Sequence, residues 1–145
     1  MKALRWIPAA ILLATVPGPL SAQSYAQQVW DQLQSHYRTI ARNSSDWFLR
    51  NYVMGKLQNR RMDSWTFSFD GGTDYIITGA CDDDCRDVDI VLKDEDNNVV
   101  EKDDKADDTP VLSFKPRRDG RYTIEITMTQ CKDDPCYFGF GVFTK

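Results

Sequence analysis

The feature that most constrains the fold is an alternation of apolar and polar residues that recurs along most of the chain after residue 50. Trp65, Phe67 and Phe69, for example, are separated by single polar residues. A period of two is that of a β-strand with one buried face and one exposed face. The segments with this pattern, some of them weaker, are Tyr52–Leu57, Trp65–Phe69, Tyr75–Gly79, Asp87–Lys93, Asn98–Lys102, Pro110–Phe114, Tyr122–Thr129 and Tyr137–Phe143.

Turn residues separate these segments, and no helical pattern lies between them. Examples are Gly71-Gly72, the run Asp94–Asn98 and Arg118–Gly120. Strands that follow one another without crossover helices favour antiparallel pairing. The sequence therefore predicts a mainly β protein, an antiparallel β-sandwich of seven or eight strands.

A different pattern precedes the strands. Between Ser24 and Ile40, apolar residues recur at spacings of three and four, with glutamines on the other face. This predicts an amphipathic α-helix, which ends at the turn-rich run Asn43–Asp46. We expect residues 23–46 to form the helix and a linker, and residues 47–145 to form the sandwich.

The first 22 residues have the pattern of a secretory signal peptide. Lys2 and Arg5 precede a short apolar run, and small residues at Ser21-Ala22 offer a cleavage site. The alternative, a membrane anchor, would need about 20 apolar residues, and this run is shorter. We therefore expect a periplasmic or secreted protein without a transmembrane segment in its mature chain.

Four cysteines form two closely spaced pairs, Cys81 with Cys85 and Cys131 with Cys136. Zinc sites favour closer spacing and additional ligands, and His36 is the only histidine. The aspartates between Cys81 and Cys85 raise the pKa of a thiol and so disfavour redox catalysis. In an exported chain we expect disulfides, with each pair closing its own hairpin loop.

The charge of the chain excludes one class of partner. The net charge is −4, and it becomes −6 when Lys2 and Arg5 are removed with the leader. Between Cys81 and Asp108 there are 13 acidic and four basic residues. A nucleic-acid-binding protein needs a basic surface, so nucleic acid is not an expected ligand. A cation or a basic partner remains compatible with these charges.

Two runs, YIITGACDDDCRDVDIVLKDEDNNVV and PVLSFKPRRDGRYTIEI, resemble the bacterial pre-peptidase C-terminal domain family. The matching positions are Tyr75, Ile77, Asp87, Asp89, Leu92, Asp119, Gly120, Tyr122 and Ile124. The resemblance covers about Tyr52 to Phe143 and implies a jelly-roll sandwich that serves secreted peptidases. Some relatives in collagenases bind collagen and calcium. The N-terminal helix and the two cysteine pairs are departures from the family pattern.

The aspartates around the first cysteine pair allow three interpretations. Asp82, Asp83, Asp84, Asp87 and Asp89 are candidate calcium ligands, because calcium takes six to eight oxygen ligands. Their spacing differs from that of an EF-hand, and a solvated acidic face is the favoured alternative. Acid–base hydrolysis by the Asp82–Asp89 cluster is the third interpretation, although aspartates in a solvated loop are poor acids.

Aromatic residues near the start of the mature chain are a further candidate site. Trp30, Tyr37 and Trp47 either pack between the helix and the sandwich or form an exposed patch for a protein or glycan. Packing is the favoured interpretation, because an amphipathic helix usually buries its apolar stripe within its own domain.

These observations predict a non-catalytic binding or accessory module, with calcium as a candidate cofactor. Its expected partner is a protein or an extracellular polymer at the cell envelope. The alternatives are a hydrolase that uses the acidic cluster and a folding or inhibitory partner of a secreted peptidase.

Overall fold

The computed structural model of the protein describes residues 20–145. The predicted signal peptide, residues 1–22, lies outside the described residues except for its last three positions, and it stays a prediction. Helix α1 covers Leu20–Asn43 and therefore extends beyond both predicted ends. No helix within the described part of the chain is long and apolar enough to cross a membrane.

Eight strands follow the helix, and each coincides with one of the eight predicted segments. They are β1 Phe48–Leu57, β2 Arg61–Phe69, β3 Tyr75–Cys81, β4 Cys85–Lys93, β5 Val99–Asp103, β6 Val111–Phe114, β7 Gly120–Cys131 and β8 Cys136–Thr144. Six strands contain the whole segment, and β5 and β6 begin one residue later than predicted. The prediction of a mainly β protein with an N-terminal helix is confirmed.

The strands form two four-stranded antiparallel sheets. Sheet A has the order β1-β8-β3-β6, and sheet B has the order β2-β7-β4-β5. Two facing sheets of eight strands in this order form a jelly roll, the type of sandwich that the family resemblance implies.

The prediction that the cysteine pairs close hairpin loops is wrong. Strands β3 and β4 lie in different sheets, and so do β7 and β8. Each connection therefore crosses from one sheet to the other. Apolar alternation indicates which face of a strand is buried, but it does not indicate which sheet the strand joins.

The core fills the space between the sheets. Ile77 and Phe140 of sheet A and Ile90, Leu92 and Ile124 of sheet B are fully buried. Burying one such side chain contributes about 1.5–3 kcal/mol. The alternation in β4 and β7 arises from this core, because the described residues cover only the inner face of sheet B.

Helix α1 packs on the outer face of sheet A. Val29 and Leu33 are buried against Ala80 of β3. A Cβ atom on Gly139 of β8 would lie 2.8 Å from Val29 Cγ1, so glycine permits the close approach of the helix. The Gln32 side-chain amide also donates to the Cys81 carbonyl oxygen at 2.7 Å.

His36 lies at the same helix–sheet contact. Its Nδ1 is 3.0 Å from the hydroxyl oxygen of Thr78, which is buried on β3. Burial lowers the pKa of His36, and the negative charge of Asp108 opposes that effect more weakly. Protonation of His36 therefore costs more in the folded protein than in the unfolded chain.

We expect the stability contributed by this contact to be lost at mildly acidic pH. Since the folded-state pKa of His36 lies below the unfolded value of about 6.5, the contribution is complete above that pH. It declines as the pH falls through the folded-state pKa. Thermal unfolding of wild type and His36→Gln between about pH 7 and pH 5 measures the difference. Parallel midpoint curves for the two proteins would refute this assignment.

Candidate functional site

Two disulfides lie at one end of the sandwich. They join Cys81 to Cys85 and Cys131 to Cys136, with a Cα–Cα distance of 5.8 Å in each. This is the pairing that the sequence predicts. Because each bond joins a strand of sheet A to a strand of sheet B, each links the two sheets covalently.

The two disulfide-closed loops lie side by side. Cys85 of β4 is opposite Cys131 of β7 in the ladder of sheet B. The Lys132 backbone N–H donates to the Asp84 carbonyl oxygen at 2.8 Å, and the Asp82 N–H donates to the Tyr137 carbonyl oxygen at 3.0 Å. The two loops therefore form one hydrogen-bonded unit.

The Asp82 side chain holds this unit together from inside. Its residue is only 2% exposed. Oδ2 accepts from the Tyr137 N–H at 2.7 Å, and Oδ1 accepts from the N–H groups of Asp84 and Cys85, both at 3.2 Å. Burial raises the pKa of Asp82, while these donors act in the opposite direction. Both oxygens are engaged by the backbone.

Two further loops complete this end. The Val88 N–H donates to the Asp107 carbonyl oxygen at 3.1 Å, which holds the β5–β6 loop beside β4. The Asn59 N–H donates to Asp134 Oδ1 at 2.6 Å, and the Cys131 N–H donates to Asn59 Oδ1 at 3.0 Å. We call the loops 58–60, 82–84, 104–110 and 132–135 the acidic end.

The acidic end is strongly negative. Its acidic and basic residues are Asp82, Asp83, Asp84, Asp104, Asp107, Asp108, Asp133 and Asp134 against Arg60, Lys105 and Lys132. The Tyr25 ring stacks on Tyr137 beside this surface, with ring centroids 5.9 Å apart. The charge of Asp84 is the main cause that raises the pKa of the Tyr25 phenol.

The five candidate calcium ligands are divided by the fold. Asp82 faces inward, whereas Asp83 is exposed. Asp89 Oδ2 accepts from the Thr129 hydroxyl at 2.6 Å. Asp87 Oδ1 is buried without a hydrogen-bond partner among the described residues, and burial raises the pKa of this carboxyl group, with Asp89 and Asp107 adding to the effect.

Within residues 20–145, no three histidine, cysteine, aspartate or glutamate side chains are grouped closely enough to hold a metal ion. Calcium therefore stays a prediction of the sequence. If the protein has the same thermal unfolding midpoint with calcium and with chelator, the prediction of calcium binding is wrong.

Two of the three candidate aromatic residues lie together. Trp30 and Tyr37 of α1 line a pocket of about 230 Å³ between the helix and sheet A, beside Tyr52 of β1. The Trp30 and Tyr52 ring centroids are 5.3 Å apart, and Tyr37 stacks on Phe143 at 5.8 Å.

Trp47 lies apart from this pocket. It is 9% exposed, and Lys145 Nζ is 5.1 Å from its ring centroid. The turn that precedes β1 places its side chain against the end of the sandwich opposite the acidic end.

The sequence patterns did not indicate that Asp107, Asp133 and Asp134 lie beside the Asp82–Asp84 loop. Their proximity depends on the pairing of β4 with β7 and on the position of the β5–β6 loop. The matched placement of the cysteine pairs at strand ends is the one sequence signal that could have indicated it.

Comparison with known proteins supports the fold alone. No protein-family model and no curated protein match the chain. The pre-peptidase C-terminal domain of collagenase from Bacillus anthracis matches with a TM-score of 0.52 and 15% identity, over 65% of this chain and 89% of that chain. Aeromonas hydrophila PliG, a periplasmic lysozyme inhibitor of g-type lysozyme, matches with a TM-score of 0.50 and 8% identity, over 66% and 85%.

The fold and the site define a disulfide-linked jelly-roll sandwich with an added N-terminal helix. The predicted resemblance to the pre-peptidase C-terminal domain is confirmed at the level of the fold. The two disulfides are consistent with an oxidising compartment outside the cytoplasm.

We expect Asp82→Asn to destabilise the protein by about 1–3 kcal/mol, because an amide places an NH₂ group against a backbone N–H donor. Denaturant unfolding measures the loss. The matched control is Asp83→Asn, whose exposed side chain should change stability by no more than about 0.5 kcal/mol. Equal midpoints for the two variants would show that Asp82 does not anchor the loops.

Proposed function

We propose that the protein is an exported, non-catalytic module that binds a basic protein through its acidic end. The observation that carries this proposal is the side-by-side placement of two disulfide-closed loops, which hold exposed carboxylates on a rigid support. Export is supported by the leader pattern and by the disulfides.

Charge complementarity is the physical basis of the proposal. Asp83, Asp108 and Asp133 are exposed and belong to three different loops of the acidic end. A surface of one sign steers an oppositely charged partner and increases its association rate. Two of these loops are closed by disulfides, and the loop of Asp108 is held by the hydrogen bond from the Val88 N–H to the Asp107 carbonyl oxygen. Since the loops are already ordered, binding loses little conformational entropy.

The fold neighbours are consistent with a binding role. PliG is an inhibitor of g-type lysozyme, so a sandwich of this fold can serve as a protein-binding scaffold. An inhibitory or folding partner of a secreted peptidase would be one form of the same function, with the basic protein as its target.

The hydrolase alternative is less well supported. A general acid needs a carboxyl group that is kept protonated and reaches the substrate. The pKa of Asp82 is raised, but its buried oxygens are occupied by backbone donors. The pKa of Asp87 is also raised, but Oδ1 of this residue is buried.

The proposal predicts salt-sensitive capture of a basic protein from an envelope or secreted fraction. The variant Asp83→Asn/Asp108→Asn/Asp133→Asn removes three charges from the acidic end and should lower the affinity for the captured protein by at least about tenfold. Most of the change should appear in the association rate, measured by surface plasmon resonance at two salt concentrations.

The matched control, Glu95→Gln/Asp96→Asn/Glu101→Gln, removes three exposed charges outside the acidic end. It should retain wild-type affinity. If both triple variants bind equally well, the acidic end is not the binding surface; if only acidic proteins are captured, the proposed charge complementarity fails.

A further inference from the structure

A second surface lies at the opposite end of the sandwich. The ends of β4 and β6 and the starts of β5 and β7 surround a pocket of about 500 Å³. Small-molecule sites usually have volumes of about 300–1,000 Å³. Its lining includes Val100, Phe114, Lys115, Arg117, Arg118 and Tyr122.

The floor of the pocket is apolar and firmly supported. Phe114 is 8% exposed, and its ring contacts Tyr122 edge-on with centroids 4.8 Å apart. Phe69 packs against both rings from the core. Val100 remains 37% exposed beside them. A flat apolar group could therefore be buried here without displacing a side chain of the core.

The rim carries two uncompensated positive charges. Among the described residues, neither Arg117 nor Arg118 forms an ion pair, and both are exposed. Lys115, by contrast, pairs with Asp74 at 3.2 Å.

Three of the neighbouring acids are already engaged. Asp94, which also lines the pocket, accepts from the backbone N–H groups of Asp96 and Asn98. Glu95 pairs with Arg121 at 3.3 Å, and Asp119 Oδ1 accepts from the Gly71 N–H at 2.7 Å. Asp96, which lines an adjacent pocket with Arg118, is exposed. Among the described residues none of these acids forms an ion pair with Arg117 or Arg118, so both guanidinium groups are available to an anion.

The backbone that carries the arginines is held in place. The Gly72 N–H donates to the Pro116 carbonyl oxygen at 2.7 Å. A Cβ atom on Gly71 would lie 2.6 Å from Arg118 Cα, so the β2–β3 loop packs directly on the arginine loop. This contact orders the loop before any ligand binds.

We propose that this pocket binds a carboxylate carried on an apolar body. A guanidinium matches the planar carboxylate with two parallel hydrogen bonds, and the apolar body would lie on Phe114, Tyr122 and Val100. A singly charged group fits better than a phosphate, because the Asp94 carboxylate lines the same pocket. The pocket and the acidic end lie at opposite ends of the sandwich, so this proposal does not depend on the proposed function.

The test is an NMR titration of the whole protein with 3-phenylpropionate, with 3-phenylpropionamide and phenyl phosphate as comparison probes. We expect saturable shifts at Val100, Phe114 and Tyr122, and at least tenfold weaker binding of the amide. Arg117→Gln/Arg118→Gln should weaken carboxylate binding at least tenfold. The control Arg60→Gln/Arg61→Gln, which removes the same charge near the acidic end, should bind as wild type does.

The titrations distinguish a peptide C-terminus from a free carboxylic acid as the ligand. Tighter binding of an acetylated dipeptide ending in phenylalanine than of 3-phenylpropionate identifies a peptide C-terminus as the ligand, and the reverse identifies a free acid. Non-saturable shifts, equal binding of the amide, equal effects of the two arginine variants, or tighter binding of phenyl phosphate would each overturn the proposal.

Discussion

The structure depends on the way in which the two sheets are joined at the acidic end. The β3–β4 and β7–β8 connections both cross between the sheets, and each is closed by a disulfide. The buried carboxylate of Asp82 then hydrogen-bonds the first loop to Tyr137, at the start of β8. The two disulfide-closed loops therefore have a fixed position relative to the core and to each other.

This arrangement explains how the fold tolerates a concentration of like charges. Neighbouring carboxylates repel one another and oppose a compact arrangement of their loops. In the chain-entropy model each short disulfide loop contributes about 2 kcal/mol, because it restricts the unfolded chain. The cross-links and the Asp82 hydrogen bonds offset the repulsion, so the exposed side chains can be acidic without the loops separating.

The sequence predicts the strands well and the site only in part. Alternation such as that of Trp65–Phe69 reflects a single buried face. It therefore predicts a strand whichever strands pair with it. The loop residues Asp82 and Asp83 are adjacent and chemically identical, yet one is buried and the other exposed. That difference depends on the Tyr137 N–H, 55 residues further along the chain, and no local pattern contains it.

Local sequence patterns also predict the positions of the aromatic residues only in part. Trp30 and Tyr37 share a helix face, so their proximity follows from helical spacing. Trp47 follows the turn, and its position depends on where β1 joins sheet A. The prediction that the cysteine pairs close hairpins is wrong because it also depends on long-range pairing. Strands that are consecutive in the chain need not be neighbours in a sheet.

The length of the sandwich allows its two ends to differ in chemistry. A nine-residue strand such as β4 spans about 30 Å, whereas the Debye length at physiological ionic strength is about 8 Å. The acidic end therefore contributes little to the potential around Arg117 and Arg118. The potential in that region is set by the arginines and by the nearby acids. Asp94, Glu95 and Asp119 are bonded locally, and Asp96 is exposed to solvent. A net negative chain can thus keep a cationic pocket at one end while the other end carries most of its loop aspartates.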